Sequence, residues 1–291
     1  MRHAALCTIL CATAAGTTVF TYFDATVFPR EEANNRLMLD VWKTAWRAAG
    51  FEPRIISEAD ARKHPAFAAL KQKYAELPTI NPKVYEVACF VRYLAMSVHG
   101  GGLMTDYDVL PLAAAPAEGL LNDGNFTSAG LQVPAYASAS ASEWDRVARM
   151  IADLPWREHP DIFRERGKPH VSDMQRLRLL IRQRRIQAID SVVGARHLGE
   201  LCKLKHASSG LHRCYTRVSA HAIHFSHADC DALRNAHDAA HGLNGLPAGV
   251  GDAIGTYNPG TGRRAPVMRA ALPLLREIAL HPSPSCIEGG A

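Results

Sequence analysis

The stretch TVFTYFDATVFPREEANNRLMLDVWKTAWRAAGFEPRIIS, residues 18–57, decides how the chain is organised. Its opening TVFTYFD (18–24) alternates β-branched and aromatic residues, which is the pattern of a strand. Pro29, Arg30, Glu31 and Glu32 then form an acidic helix start. Leu37, Val41, Trp42, Ala45 and Trp46 recur at helical spacing until Gly50 stops the run. FEPRIIS (51–57) returns to extended form. A strand, a helix and a second strand in so short a span are the unit of a parallel sheet. Trp42 and Trp46 read as helix–sheet packing rather than as a platform for stacking a ligand.

Around this unit the composition is that of a globular enzyme. The chain has 291 residues, of which 47% are hydrophobic and 21% charged, and this length supports a substantial core. A formal charge of +5, from 33 basic and 28 acidic residues, is only mildly basic. It suits anionic ligands and excludes a dedicated nucleic-acid binder, so no nucleic-acid partner is expected. Seven cysteines are scattered without a C-x-x-C pair, which argues against both a zinc site and a disulfide framework. The N-terminal stretch 1–17 has Arg2, an apolar run and small residues after it. It reads either as a secretory signal or as an ordinary N-terminal extension. The first reading would place the protein in the secretory pathway or at a membrane, the second in the cytoplasm.

Further along, 58–77 reads as helical with a break near His64–Pro65. VYEVACFVRYLAMSV (84–98) is an apolar helix whose only charges are Glu86 and Arg92. Such a helix is buried, so its arginine must reach a partner, either Glu86 or a group in a cleft. Residues 103–106 form a short strand that Val109–Leu110 continues, and 126–137 is again extended. Ser142 caps a helix through Ile151. Ser172 and Gln175 form a capping box ahead of a helix whose Arg176, Arg178, Arg182, Arg184 and Arg185 read as a solvated face. A last strand at 220–225 ends in HFSH, a helix spans 231–241, and 255–266 is a Gly/Pro loop carrying Arg263 and Arg264. No internal repeat or linker is visible. The economical organisation is one α/β catalytic domain over 18–280 with a flexible tail at 281–291.

The chemistry concentrates in HGGGLMTDYDVLPL (99–112). Two carboxylates at i and i+2 of an extended strand point to opposite faces, so Asp106 and Asp108 meet one ion only if the chain turns between them. Oxygen ligands of this kind suit Mn²⁺ or Mg²⁺, with substrate phosphates completing the shell. His224 and His227 of HFSH carry imidazoles, which also suit Mn²⁺, although a lone histidine is more often structural. His237 and His241 share a helical face but lack the glutamate of an H-E-x-x-H site, so a surface helix is the simpler reading. Asp173 is accounted for by the favourable charge of a helix N-terminus, with a catalytic role as the alternative. Arg263 and Arg264 are candidates to clamp a diphosphate.

An isolated D-x-D is a weak signal, but here it follows Arg-Tyr on an apolar helix and a glycine run. RYLAMSVHGGGLMTDYDVLPL resembles the sugar-binding DXD region of a glycosyltransferase group that includes fungal initiating α-1,6-mannosyltransferases and bacterial capsular and toxin glycosyltransferases. Close resemblance covers residues 85–111. It implies a GT-A-type, Rossmann-like single domain with a mostly parallel central sheet flanked by helices. It implies a metal-dependent, retaining transfer of a sugar from a UDP- or GDP-linked donor to a glycan, lipid or protein acceptor. By the same resemblance Asp106 meets the ribose or sugar and metal-bound water, Asp108 ligates the metal, and Arg92 reaches the donor sugar. HFSH by that resemblance supplies a late metal ligand, His224 or His227, with His224 favoured by its place after an apolar strand. Tyr93, Gly101, Gly102 and Tyr107 complete the implied donor site, and Asp173 falls where the group has a carboxylate near the acceptor. One position departs: the group has an aspartate three residues before the arginine, where this chain has Cys89. Two other readings of the same residues stay open. One is a different metal-dependent phosphate enzyme, a nucleotidyltransferase or phosphohydrolase. The other is a non-catalytic carbohydrate-binding protein with a degenerate site.

Overall fold

Strand β1 (Thr18–Tyr22), helix α1 (Glu32–Ala48) and strand β2 (Glu52–Ile56) form the expected unit, with β1 and β2 parallel from Thr18 opposite Glu52 to Tyr22 opposite Ile56. The computed structural model describes residues 17–27, 32–112, 121–129, 135–198, 220–238, 246, 248–258 and 263–280. Of the stretch 1–17 only Thr17 is among these, and 281–291 lies wholly outside them. No helix of the described residues is long and apolar enough to cross a membrane.

After β2 come α2 (Glu58–Ala61), α3 (Phe67–Glu76) and α4 (Lys83–Val98), then β3 (Gly101–Thr105) and β4 (Val109–Pro111). The break between α2 and α3 falls at His64–Pro65 as the sequence suggests. Next are β5 (Thr127–Ala129), β6 (Tyr136–Ser140) and α5 (Ala141–Asp153), followed by a two-residue ribbon of β7 (Arg164–Glu165) and β8 (Lys168–Pro169). The chain closes with α6 (Asp173–Arg182), β9 (Gln187–Ile189), β10 (Val192–Gly194), β11 (Ala222–His224), α7 (His227–Asp238), α8 (Ala248–Thr256) and α9 (Ala265–Leu280).

The central sheet has six strands in the order β2-β1-β3-β6-β5-β9. Only β6 runs against its neighbours, pairing antiparallel with β3 and β5, while the other pairs are parallel. Side chains alternate across this sheet. Phe20, Met104 and Ala137 pack into a core with Phe90, Tyr93 and Trp144 of α4 and α5, while Val19, Leu103 and Tyr136 pack against Trp42 and Trp46 of α1. The architecture is therefore mixed α/β with helices on both faces of a mostly parallel sheet.

Four local expectations are corrected. Val109–Leu110 does not continue β3: β4 belongs to a separate three-stranded sheet, β10-β11-β4, because the chain turns sharply at Tyr107–Asp108. The helix expected to be capped by Ser142 starts two residues earlier, at Ala141, with Ser140 as its N-cap. Leu37 faces solvent at 44% exposure, so the buried apolar stripe of α1 begins at Met38. Arg176 is not on a solvated face; it is fully buried, donates to the Ile151 carbonyl and lies 5.9 Å from the Phe163 ring centroid. Trp42 and Trp46, by contrast, are core residues as expected, at 0% and 1% exposure.

Candidate metal and ligand site

In the order β2-β1-β3 the chain leaves β1 toward one side and returns as β3 on the other. Ligands in parallel sheets collect at such a switch point, outside the carboxyl ends of the strands. A cavity of about 450 Å³ lies there. Its walls include Tyr22, Phe23 and Asp24 at the end of β1, Asp106, Tyr107 and Asp108 following β3, and Glu86, Cys89 and Arg92 of α4.

The two aspartates are brought together by a tight turn. The Val109 amide donates to the Asp106 carbonyl at 3.0 Å, which reverses the alternation that would separate their side chains. Helix α1 pins both ends of this turn. The Trp42 indole donates to Thr105 Oγ1 at 2.8 Å, and the Trp46 indole donates to the Val109 carbonyl at 2.9 Å. The switch of sheets completes the arrangement, because β4 runs antiparallel to β11 with Val109 opposite His224. The Phe225 amide continues the ladder to the Asp108 carbonyl at 2.8 Å. His224 thus sits beside Asp108 by backbone register. One ligand atom from each of Asp106, Asp108 and His224 lies within 4.8 Å of the others.

Both terminal nitrogens of the buried Arg92 guanidinium have partners, and Glu86 is not among them. Its Nη1 donates to Asp106 Oδ1 at 2.6 Å and its Nη2 donates to Asp173 Oδ2 at 2.5 Å. Asp173 is 2% exposed and is held at the start of α6, where Ser172 and Gln175 form the expected capping box. The Tyr93 hydroxyl lies 3.4 Å from Asp173 Oδ2. Tyr93 itself is fully buried, stacked with Phe126 at 6.1 Å, and supports the site from behind. On the other flank Arg264 donates to Asp108 Oδ2 and, at 2.9 Å, to the Phe225 carbonyl. Arg263 is exposed.

Electrostatics divide the roles. Burial pushes the Asp108 carboxyl up, but His224 and Arg264 outweigh it and hold that carboxyl far below the usual range. Burial also raises Asp106; Arg92 opposes this, the neighbouring Asp108 adds to it, and the net shift is upward. At His224 burial disfavours the imidazolium, yet Asp108 and Asp106 lift the pKa above its ordinary value. A carboxylate must be deprotonated to hold a cation, a condition that Asp108 meets. A donor set of two carboxylates and an imidazole fits a divalent cation, and Asp108 Oδ1 is buried with no hydrogen-bond partner.

Several expected residues lie elsewhere. His227 is exposed at the start of α7 and lines the cavity without joining the three-residue group. Gly101 and Gly102 stand at the far end of β3 from Asp106 and line a different pocket. The need for glycine there is internal packing. A Cβ at Gly101 would fall 2.5–2.6 Å from backbone atoms of Ala139, Ser140 and Ala141, and one at Gly102 would meet the Phe20 ring at 3.1 Å. Tyr107 does line the cavity, edge-on to Phe23 with ring centroids 5.7 Å apart. His237 lies in α7, while His241 is outside the described residues. Tyr22, Asn81 and Glu86 line the cavity without having been singled out as binding residues. For Glu86 the signal was its spacing, since Glu86, Cys89 and Arg92 recur every three residues along one helical face.

Residues 6–126 match the model of a family described as Domain of unknown function (DUF8765). That span includes Arg92, Asp106 and Asp108, stops short of Asp173, His224 and Arg264, and is less than half of the chain. No curated protein and no solved structure matches the chain.

Proposed function

We propose that the protein is a metal-dependent glycosyltransferase on a GT-A-type domain, moving a sugar from a nucleotide-sugar donor to an acceptor hydroxyl. The observation that carries this reading is the meeting of Asp106, Asp108 and His224 at a cavity mouth, with Arg92 bonded to the first aspartate. The sequence resemblance assigns the same residues to donor and metal, although residues 106 and 224 are far apart in the chain.

Asp106, Asp108 and His224 would hold Mn²⁺ or Mg²⁺, and a cation bound there would supply positive charge beside a departing diphosphate. The chain's own residues do the rest by position. Asp108 is ionised throughout the working pH range, so it offers a full negative charge to a cation. Arg92 fixes the orientation of Asp106 and Asp173 at once, and its buried guanidinium stays charged. Arg264 places a second guanidinium at the same mouth, where it can pass from Asp108 to a phosphate. Preorganised charge of this kind stabilises a leaving diphosphate without a protein nucleophile.

The test is a panel of UDP- and GDP-sugars assayed for Mn²⁺-dependent release of nucleoside diphosphate, with Asp108→Ala as control. Release abolished by a chelator and by the substitution supports the reading. Turnover of nucleoside triphosphates independent of sugar would replace it with a nucleotidyltransferase or phosphohydrolase. Sugar binding indifferent to metal, with no turnover, would replace it with a carbohydrate-binding protein.

A further inference from the structure

Five buried polar atoms without a hydrogen-bond partner belong to residues that line this same cavity: Tyr22 Oη, Glu86 Oε2, Arg92 Nε, Asp108 Oδ1 and Arg264 Nε. Buried polar groups are almost always satisfied, so such a concentration points to a ligand that completes them. Three of these atoms belong to the metal and arginine cluster described above. The Glu86 and Tyr22 atoms do not, and no role has been assigned to either.

Glu86 is 3% exposed, and its other oxygen accepts a 2.6 Å bond from the Asn81 amide. His170 Nε2 stands 3.8 Å from that same oxygen. Burial lowers the pKa of His170, so its imidazole does not neutralise the carboxyl as a cation would. Glu86 lies one helical turn from Cys89 and two from Arg92, on the cavity-facing side of α4. Tyr22, at the end of β1, lines the same cavity, where the Cys89 thiol and the Arg92 guanidinium act on its hydroxyl. Arg92 is already committed to Asp106 and Asp173. Beside the arginine cluster the cavity therefore offers a carboxyl oxygen, a phenol and an amide, with aromatic surface from Tyr22 and Tyr85. Such a set recognises neutral, hydroxyl-rich ligands. The carboxyl accepts from hydroxyls, the phenol donates or accepts, and the rings cover C–H faces. A bare anion would meet the carboxylates of Glu86 and Asp173.

We propose that Glu86 and Tyr22, supported by Asn81, form a subsite that binds the hydroxyl groups of a sugar ring, with Glu86 as the specificity-determining residue. This deepens the glycosyltransferase reading and rests on it for the identity of the ligand as a sugar. Burial lifts the Glu86 carboxyl to about 7. It can therefore serve a hydroxyl as acceptor or as donor near neutrality.

The experiment is saturation-transfer NMR with methyl α-glucoside, methyl α-mannoside and methyl α-galactoside. The full chain is compared with Glu86→Leu and with the near-isosteric Glu86→Gln, which keeps a partner for Asn81. Circular dichroism confirms that each variant is folded. The expected result is transfer to at least one glycoside in the wild type and at least a fivefold loss in both variants. Absence of transfer in the wild type, or equal transfer in the variants, overturns the proposal. Mn²⁺-dependent binding of UDP or GDP by the wild type is measured separately. Glycoside binding without it sinks the glycosyltransferase reading and leaves the subsite standing. Nucleotide binding without glycoside binding does the reverse.

Discussion

Replacing Arg92 with methionine removes the charge that joins the two carboxylate centres, and its cost follows from burial. The Arg92 and Asp173 side chains are 9% and 3% exposed, and their atoms approach to 2.5 Å. At an effective dielectric of about 20 the gross attraction is about 7 kcal/mol, and desolvation takes back a large part. Breaking such a pair from one side leaves a buried charge uncompensated and costs about 3–5 kcal/mol. Arg54 and Glu52 make a contact of similar kind at 2.8 Å, but at 53% and 52% exposure. Its loss in Glu52→Gln should cost under about 1 kcal/mol. A double-mutant cycle on Arg92→Met and Asp173→Asn, read by urea unfolding with tryptophan fluorescence, isolates the pair. The expected coupling is about 2–3 kcal/mol, with the double variant less damaged than the sum of the singles. Single costs below about 1 kcal/mol that simply add, matching Glu52→Gln, would refute the buried-pair reasoning.

Three further outcomes follow from the same structure. Gly101→Ala, whose Cβ would overlap backbone atoms at a φ of +82°, should lower stability by at least about 2 kcal/mol. Gly251→Ala in α8, where a Cβ meets open space, should raise it by about 0.5–1 kcal/mol; thermal unfolding checks both. Glu86 has its carboxyl raised from 4.5 to about 7 in the folded chain, so the folded state keeps a proton that the unfolded state releases. Its contribution to stability is present below about pH 4.5 and is lost as pH rises through 7. The stability of Glu86→Gln relative to wild type should therefore improve by about 3 kcal/mol between pH 4 and pH 8. A flat difference across that range would show that Glu86 ionises freely.

Much of the framework is legible in the sequence because it depends on local patterns. The strand–helix–strand unit at 18–57, the broken helix at His64–Pro65 and the Ser172–Gln175 capping box are all written in near-neighbour spacing. Arg92 was legible by contradiction, since a charge on an apolar helix demands a partner. Which partner was not legible: Glu86 is nearer in sequence, but Asp106 and Asp173 come from other elements. The glycine pair misled because closeness in sequence is not closeness in space. A strand rises about 3.3 Å per residue, so Gly101 ends roughly 15 Å along β3 from Asp106. The turn at Tyr107–Asp108 sends β4 into another sheet, which no alternation pattern in so short a stretch can reveal. His224 could be suggested from its place after an apolar strand, but its register opposite Val109 is set by long-range pairing.

The most direct measurement is a titration with Mn²⁺ followed by electron paramagnetic resonance, which reads the free aqueous ion. The wild type should remove about one Mn²⁺ per chain from solution, as expected for a single carboxylate–imidazole site. Asp108→Ala and His224→Ala should not remove it, while His227→Ala should titrate like the wild type. Undiminished Mn²⁺ binding in Asp108→Ala, or its loss in His227→Ala alone, would contradict the site of Asp106, Asp108 and His224.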